Sequence, residues 1–257
     1  MYKLNNNFTE GDFAVSVVGC GGTGGFAADS ICRLLPTNAH LVLIDPDRVE
    51  ERNLARQNFN REDLGKFKSE TLALRLSRKY GRPVAYSTLP VAGVKINVPG
   101  LIIGCVDNGP ARREIAENVG GSLYVSYRYT SWWVDAGNGD NYGQVLIGNT
   151  AEGTLFNPEQ DTCYALPLPT IQRPDLLSQA PPRQLGCAQL DEQGPTINQI
   201  MASVVVEVVR RLIEGTCHWM QLYLDLEGGT LYPVLATPEA VQKIIGGKIK
   251  SIKSERR

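Results

Sequence analysis

Hydrophobic positions along this chain change character near its middle. In the first half, short apolar runs alternate with amphipathic stretches. Phe13–Val18 is a continuous, β-branched run that ends in glycine, and Leu41–Ile44 is a second that ends at Asp45. Val84–Leu89 is more polar and predicts a third strand, and Leu101–Val106 predicts a fourth that ends at Asp107. Runs with no polar alternation predict parallel strands buried on both faces. Between them the spacing predicts helices over Thr23–Leu35, stopped by Pro36, over Ser69–Tyr80, and over Pro110–Asn118. In the second of these, Leu72, Leu74 and Leu76 lie partly on one face with basic residues between them. Strands and helices alternating at this distance imply βαβ units and a parallel sheet.

In the second half, Leu123–Tyr129, Gly143–Ile147, Met220–Leu226 and Thr230–Leu235 read as strands. Leu226-Glu-Gly-Gly-Thr230 is a hairpin signal, so some of these pair antiparallel. Thr150–Pro195 is rich in proline and polar residues with little periodicity, as functional or mobile loops are. A helix is expected over Pro195–Ile213, with proline near its first turn, although the valines at 204–206 also suit a strand. The expected fold class is therefore α/β: a Rossmann-like, largely parallel sheet with helices on both faces, extended by antiparallel strands in the C-terminal half. It is read as a single domain over 1–257, with a crossover loop at about 150–195 and a basic tail at about 243–257. That tail has six basic side chains and one acid, as a solvated end would.

Composition narrows the function classes. With 257 residues, 42% hydrophobic, 21% charged and a net charge of −1, the chain carries no broad electrostatic footprint for nucleic acid or anionic membrane. Met1–Asp12 is polar and Asn-rich, without a signal pattern, and Ile200–Ile213 is interrupted by Glu207, Arg210 and Arg211, so no bilayer span is expected. Six cysteines without a disulfide-framework spacing fit a reducing cytoplasm, the expected location. Two histidines, His40 and His218, read as structural and leave little material for a Ser-His-Asp triad or a histidine metal site.

The chemistry concentrates after the first two strands. Gly19-Cys-Gly21-Gly22-Thr-Gly24 lies between a strand and a helix, where glycines admit close backbone approach and the helix start offers N–H groups to a phosphate. Asp45 ends the next strand, where a carboxylate accepts ribose hydroxyls. Up to this point a nicotinamide dinucleotide fits as well as ATP. Arg56 and Lys68, two cations at the same sheet edge, shift the balance. Charge accumulating on a departing pyrophosphate needs them, whereas a dinucleotide already held by backbone amides does not. Asp107 beside Asn108 can hold Mg²⁺, which takes one or two carboxylates plus phosphate oxygens. Asn53 and Gln57 add neutral donors. Of the charged loop, Arg48, Glu50, Glu51 and Arg52 read as solvated surface, and Asp47 stays among the nucleotide-binding candidates.

These blocks together carry a resemblance. GCGGTG, DPDRVEERNLARQ, Gly65-Lys-Phe-Lys68 and Cys105-Val-Asp-Asn108, in that order, resemble the GxGGxG, DxDxV…NLxRQ, GxxK and DN pattern of the ThiF/MoeB/ubiquitin-activating-enzyme superfamily. The likeness runs over roughly residues 13–235. Trp133-Val-Asp-Ala-Gly-Asn138 and Gly143–Gly148 further resemble the stand-alone ThiF-like proteins of PRTRC-type gene systems. The resemblance implies an adenylyltransferase using ATP and Mg²⁺ to activate the C-terminal carboxylate of a ubiquitin-like or sulfur-carrier protein ending in Gly-Gly, commonly as a homodimer. Asp45 would then bind ribose, Asn53, Arg56 and Lys68 the phosphates, Asp107 the Mg²⁺, and Arg112 would lie near the adenylate.

Cys187 falls in the loop where relatives carry a cysteine that can accept the activated group, and it is either that acceptor or a bystander thiol. Cys20 and Cys105 read as packing. Of the paired CxxC motifs that hold zinc in many bacterial relatives only Cys163 remains, with Leu166 in its partner's place, so no zinc is expected. Relatives also supply an arginine to a partner subunit from an N-terminal helix, and Met1–Asp12 has none. Adenylation of a small-molecule, peptide or RNA-borne carboxylate, an NAD-dependent oxidoreductase, and a nucleotide-binding module without turnover are the alternatives.

Overall fold

The structure is a computed structural model that describes residues 1–5, 8, 12–94, 100–120, 131–151, 153–178 and 196–246. Its first element, β1 (Lys3–Leu4), belongs to a small second sheet. The main sheet begins with β2 (Phe13–Val18), followed by α1 (Gly22–Leu34), β3 (Ala39–Ile44), α2 (Lys68–Tyr80), β4 (Val84–Ser87), β5 (Gly100–Gly104) and α3 (Gly109–Gly120). All six residues of β2 are buried, as a strand covered on both faces requires. α1 stops where Leu35 turns extended ahead of Pro36, because the residue before proline is pushed out of the helical region. α2 ends on Gly81 at φ +63°, a left-handed cap open to glycine.

β6 (Trp132–Asn138) and β7 (Tyr142–Gly148) form a hairpin, and β10 (Trp219–Asp225) and β11 (Thr230–Leu235) another, with β8 (Leu155–Asn157), β9 (Thr162–Ala165), α4 (Pro169–Gln172) and α5 (Ile197–Ile213) between them and α6 (Pro238–Ile245) after. Eight strands lie in the order β11-β10-β7-β6-β5-β2-β3-β4. β4, β3, β2, β5 and β6 are parallel, and β7, β10 and β11 continue the sheet antiparallel. This is the Rossmann-like, largely parallel sheet with an antiparallel extension that the hydrophobic pattern predicts.

Alternate strand residues feed two cores. Val15, Val17, Leu41, Leu43, Trp132 and Val134 join buried residues of α1, α2 and α5 on one face. Val18, Ile44, Ile102 and Trp133 pack with Ile115 and Val119 of α3 on the other. The chain runs from β2 through β3 to β4 in one direction and resumes with β5 on the opposite side of β2. That reversal opens a crevice at the carboxyl ends of β2 and β5, the usual ligand position in such sheets.

Several elements depart from expectation. Leu74 is not on the buried face of α2 with Leu72 and Leu76 but 45% exposed, because two residues along a helix turn the side chain by about 200°. β6 was not predicted, since Asp135 interrupts its apolar run, while the strand expected over 123–129 falls outside the described residues. The stretch from 150 onward holds β8, β9, α4 and a 3-10 turn at Pro174–Leu177. Strands of three or four residues show at most two repeats of the two-residue alternation, too few to stand out in the sequence. α6 extends ordered structure into the expected tail, whose remaining residues after 246 lie outside the described set.

The described N-terminal residues are tied to the second sheet and to the main one. Lys3 and Leu4 pair with Thr162 and Cys163, Leu4 N–H donates to the Cys217 carbonyl (2.8 Å), and Trp132 Nε1 donates to the Asn5 carbonyl (3.0 Å). His218 Nδ1 sits 2.9 Å from the Tyr2 carbonyl, the structural role expected of it. No described helix is long and apolar enough to cross a membrane.

Candidate active site

The glycine loop fastens three strands together before it offers anything to a ligand. Gly19, at φ +89°, donates its N–H to Ile44 at the end of β3 (2.9 Å), and a methyl group there would lie 2.5 Å from the Cys105 carbonyl oxygen after β5. A methyl at Gly24 would collide with the Gly19 carbonyl, so α1 begins directly over the loop. Gly21 differs, its nearest neighbour being Gln57 Nε2 at 3.6 Å. α1 starts without a side-chain cap and without an acid in its first turn. Its leading N–H groups, at the positive end of the helix dipole, suit an anion.

Asp45 is 5% exposed, and its carboxylate accepts the N–H groups of Cys20 (2.6 Å) and Asp47 (2.8 Å). Burial pushes its pKa up, and those two N–H bonds pull the other way. It ties the glycine loop to the end of β3, with lone pairs left for a further donor. Asp47 turns outward and pairs with Lys68 Nζ at 3.0 Å. The two are unequal: the lysine side chain is 9% exposed and the carboxylate 65%. Lys68 is also the first residue of α2, where the helix dipole opposes a cation. Its approach is fixed by Arg48, which bridges across to Phe67, stacks on its ring at 3.8 Å and donates to the Gly65 carbonyl (2.6 Å). Arg48 is exposed, as expected of solvated surface, and these contacts also hold the loop.

Asn53 spends its Oδ1 on the Glu50 N–H (2.9 Å), closing a short turn whose carbonyl then receives the N–H groups of Arg56 (3.2 Å) and Gln57 (2.9 Å). That turn lays Gln57 against Gly21, with a buried Oε1 that has no hydrogen-bond partner. Such an atom is costly to leave unmade, and it marks the place where a donor is missing.

Across the switch point, Asp107 and Asn108 are exposed after β5. Asn108 Oδ1 accepts the Ala111 N–H (2.9 Å) and so caps α3, while its Nδ2 donates to Asp107 (3.2 Å). Among the described residues, no group of three or more histidine, cysteine or acidic side chains is placed to hold a metal. Arg112, one turn into α3, is 8% exposed and donates Nε to both oxygens of Asp135 (3.2 and 3.1 Å). Asp135 is wholly buried, and desolvation lifts its pKa to about 6 against the pull of Arg112. Its strand neighbour Trp133 has a buried Nε1 with no partner.

Asn198 was missed at the sequence level. It is 2% exposed in the first turn of α5. It occupies a core-facing position of that helix with Met201, Ala202 and Val205, and a polar residue in such a row was the available signal. Cys105 is held to a pKa of about 12 by burial and Cys20 is raised as well, so neither is a ready thiolate. Cys187 lies outside the described residues.

A model of the ThiF family matches residues 11–226. Ubiquitin-like modifier-activating enzyme 5 of Drosophila grimshawi is 26% identical over 213 residues, 76% of this chain and 49% of that protein. The chain thus spans about half the length of this relative. Among solved structures, E. coli MccB with ATP aligns at a TM-score of 0.61 and 15% identity over 89% of this chain and 64% of its own. PaaA aligns at a TM-score of 0.62 and 16% identity, over 90% of this chain and 74% of its own. At these identities the two structures share the fold.

Proposed function

The chain belongs to the ThiF family, and from that premise we propose that it is an ATP-dependent adenylyltransferase. It activates a carboxylate as an acyl-adenylate with release of pyrophosphate. The observation that carries this reading is Lys68, a cation 91% removed from solvent at the wrong end of a helix dipole, paired with a carboxylate that is itself mostly hydrated. Its placement is stabilised once an anion lies beside it. The uncapped start of α1, the open side of Gly21 and the unpartnered Gln57 Oε1 supply a cradle at the same edge.

In this reading the N–H groups from Gly21 to Gly24 and the side chains of Arg56 and Lys68 hold the phosphates, and Asp45 receives the ribose. A substrate carboxylate is already ionised at neutral pH, so attack on the α-phosphorus requires no general base. The two cations stabilise the charge that develops on the departing pyrophosphate, and positioning supplies the rest. Asp107, exposed beside the crevice, would hold Mg²⁺, which when bound neutralises phosphate charge. Arg112, bound to Asp135 through Nε, would face the adenylate.

The substrate we propose is the C-terminal carboxylate of a ubiquitin-like or sulfur-carrier protein ending in Gly-Gly, with Cys187 as a candidate acceptor afterwards, a homodimer as the assembly and the cytoplasm as the compartment. ATP–pyrophosphate exchange tests this. Exchange that depends on such a carrier and is lost in Asp107→Ala supports it. Exchange driven by a peptide or small carboxylic acid instead moves the substrate class. ATP binding with no exchange under any of these conditions overturns the enzymatic reading and leaves a binding module.

A further inference from the structure

Asn198 joins parts of the site that lie far apart in sequence. Its Nδ2 donates to the Arg56 carbonyl (3.3 Å), and its Oδ1 accepts from Asn138 Nδ2 at the end of β6 (3.2 Å). The Thr23 hydroxyl completes the group, donating to Asn138 Oδ1 (3.0 Å) and standing 3.5 Å from Asn198 Oδ1. The amide also sits on the glycine loop itself, for a methyl group at Gly22 would be driven into the Asn198 carboxamide. One buried side chain of α5 therefore touches α1 at its first residues, the backbone of the Arg56 turn and β6.

From this we infer that Asn198 is a positioning residue for the triphosphate: its carboxamide sets the distance between the glycine-loop N–H groups and Arg56. The inference rests on the reading that ATP phosphates lie between those two features. Its physical basis is that the turn carrying Arg56 and the start of α1 belong to separate loops of the sheet edge. A cation on one loop and amides on the other bind a common anion well only if their spacing is fixed beforehand, and a displacement of about 1 Å is enough to weaken such a constellation strongly. Asparagine suits the task because it donates and accepts at once with no charge to bury. Gly22 suits it because only a residue without a side chain leaves room for the carboxamide. Buried networks of this kind are rigid when every member is satisfied.

The test measures binding of a non-hydrolysable ATP analogue with Mg²⁺, and of adenosine by competition, in wild type, Asn198→Ala and Thr23→Val, alongside thermal unfolding. Thr23→Val deletes only one hydroxyl and stands in where Asn198→Ala does not fold. The expected result is a loss of about tenfold or more in affinity for the ATP analogue with adenosine affinity unchanged, because adenosine does not span the two loops. In the exchange assay the same variants raise KM for ATP and leave KM for the carboxylate substrate in place. Equal loss for both ligands indicates general loosening of the fold and overturns the inference, as does unchanged ATP affinity. Failure of the wild type itself to bind ATP overturns the underlying reading, so the two failures are distinct. A second readout probes the contact directly. Gly22→Ala lowers the melting temperature in wild type and lowers it by less than half as much in the Asn198→Ala background; equal costs in the two backgrounds sink the proposed seat of the amide.

Discussion

Replacing Asp135 by asparagine removes a charge from the centre of the molecule while keeping its shape. The carboxylate is 0% exposed, and desolvation raises its pKa from 3.8 to about 6 although Arg112 lies within hydrogen-bond distance. A folded value above the unfolded one means that the group's contribution to stability is complete below about pH 4 and is lost as the pH rises through about 6. Moving from 3.8 to about 6, at about 1.36 kcal/mol for each tenfold change in proton affinity, amounts to about 3 kcal/mol. In Asp135→Asn the amide oxygen still accepts from Arg112 Nε, as the protonated acid does. The variant should therefore match wild type at about pH 4 and exceed it by up to about 3 kcal/mol at about pH 8. For a chain of this length that corresponds to a melting-temperature gap of about 6–12 °C, opening with pH. Thermal unfolding of both proteins in steps from about pH 4 to about pH 8 measures it. A variant less stable than wild type at the alkaline end would show that attraction from Arg112 outweighs desolvation, and the reasoning would fail. The added stability should come with weaker nucleotide binding, since Arg112 loses the charge that orients it.

Gly21→Ala should unfold like wild type to within about 0.5 kcal/mol, because its methyl meets nothing closer than Gln57 Nε2 at 3.6 Å, yet lose ATP affinity in a calorimetric titration. Gly19→Ala, at φ +89° and against the Cys105 carbonyl, should lose at least about 2 kcal/mol in chemical denaturation. Lys68→Met should leave stability unchanged or raise it by up to about 1 kcal/mol, since the buried cation opposes the helix dipole and the abandoned Asp47 carboxylate is 65% exposed and rehydrates. In the exchange assay the same variant should reduce kcat by about a hundredfold. Deleting Met1–Asn5 strips β1 from β9 and leaves Trp132 Nε1 without its acceptor, so melting should fall by an amount corresponding to about 1–3 kcal/mol.

The parallel half of the sheet was legible because strands covered on both faces are mostly apolar, and β2, β3 and β5 are, with Ser16 and the exposed His40 as the only polar side chains among them. The same logic hid β6. Asp135 makes sense inside a strand only beside Arg112, which lies 23 residues earlier and on a different element. A buried pair of that kind is a tertiary fact, and nothing in the local pattern announces it. The backbone positions of the chemical residues were readable because Asp45 and Asp107 follow strand ends, where the fold gathers loops. Their working partners were not. Asn53, read as a neutral donor, and Asn108, read beside Asp107, also use their side-chain oxygens to accept backbone N–H groups of their own turns. Asn198 stands inside an apolar row and took its meaning only when α1 and β6 came to meet it.

The glycine motif shows how far such a signature can be pressed. Read along the chain, its glycines look equivalent, each permitting a phosphate to approach. In the folded protein they divide. Gly19 is glycine for its positive φ and for the carbonyl behind it, Gly24 for the loop beneath α1, and Gly22 for the carboxamide of Asn198. Three of the four are thus required by the protein's own atoms, and only Gly21 leaves its side of the backbone open. Most of the motif is a device for starting a helix tightly at a strand end, which dinucleotide and triphosphate enzymes need alike. That is why the glycines could not choose between NAD and ATP. The choice falls to residues that cost stability where they stand, chiefly a buried lysine at the start of a helix, since a placement unfavourable to folding is retained for what it binds.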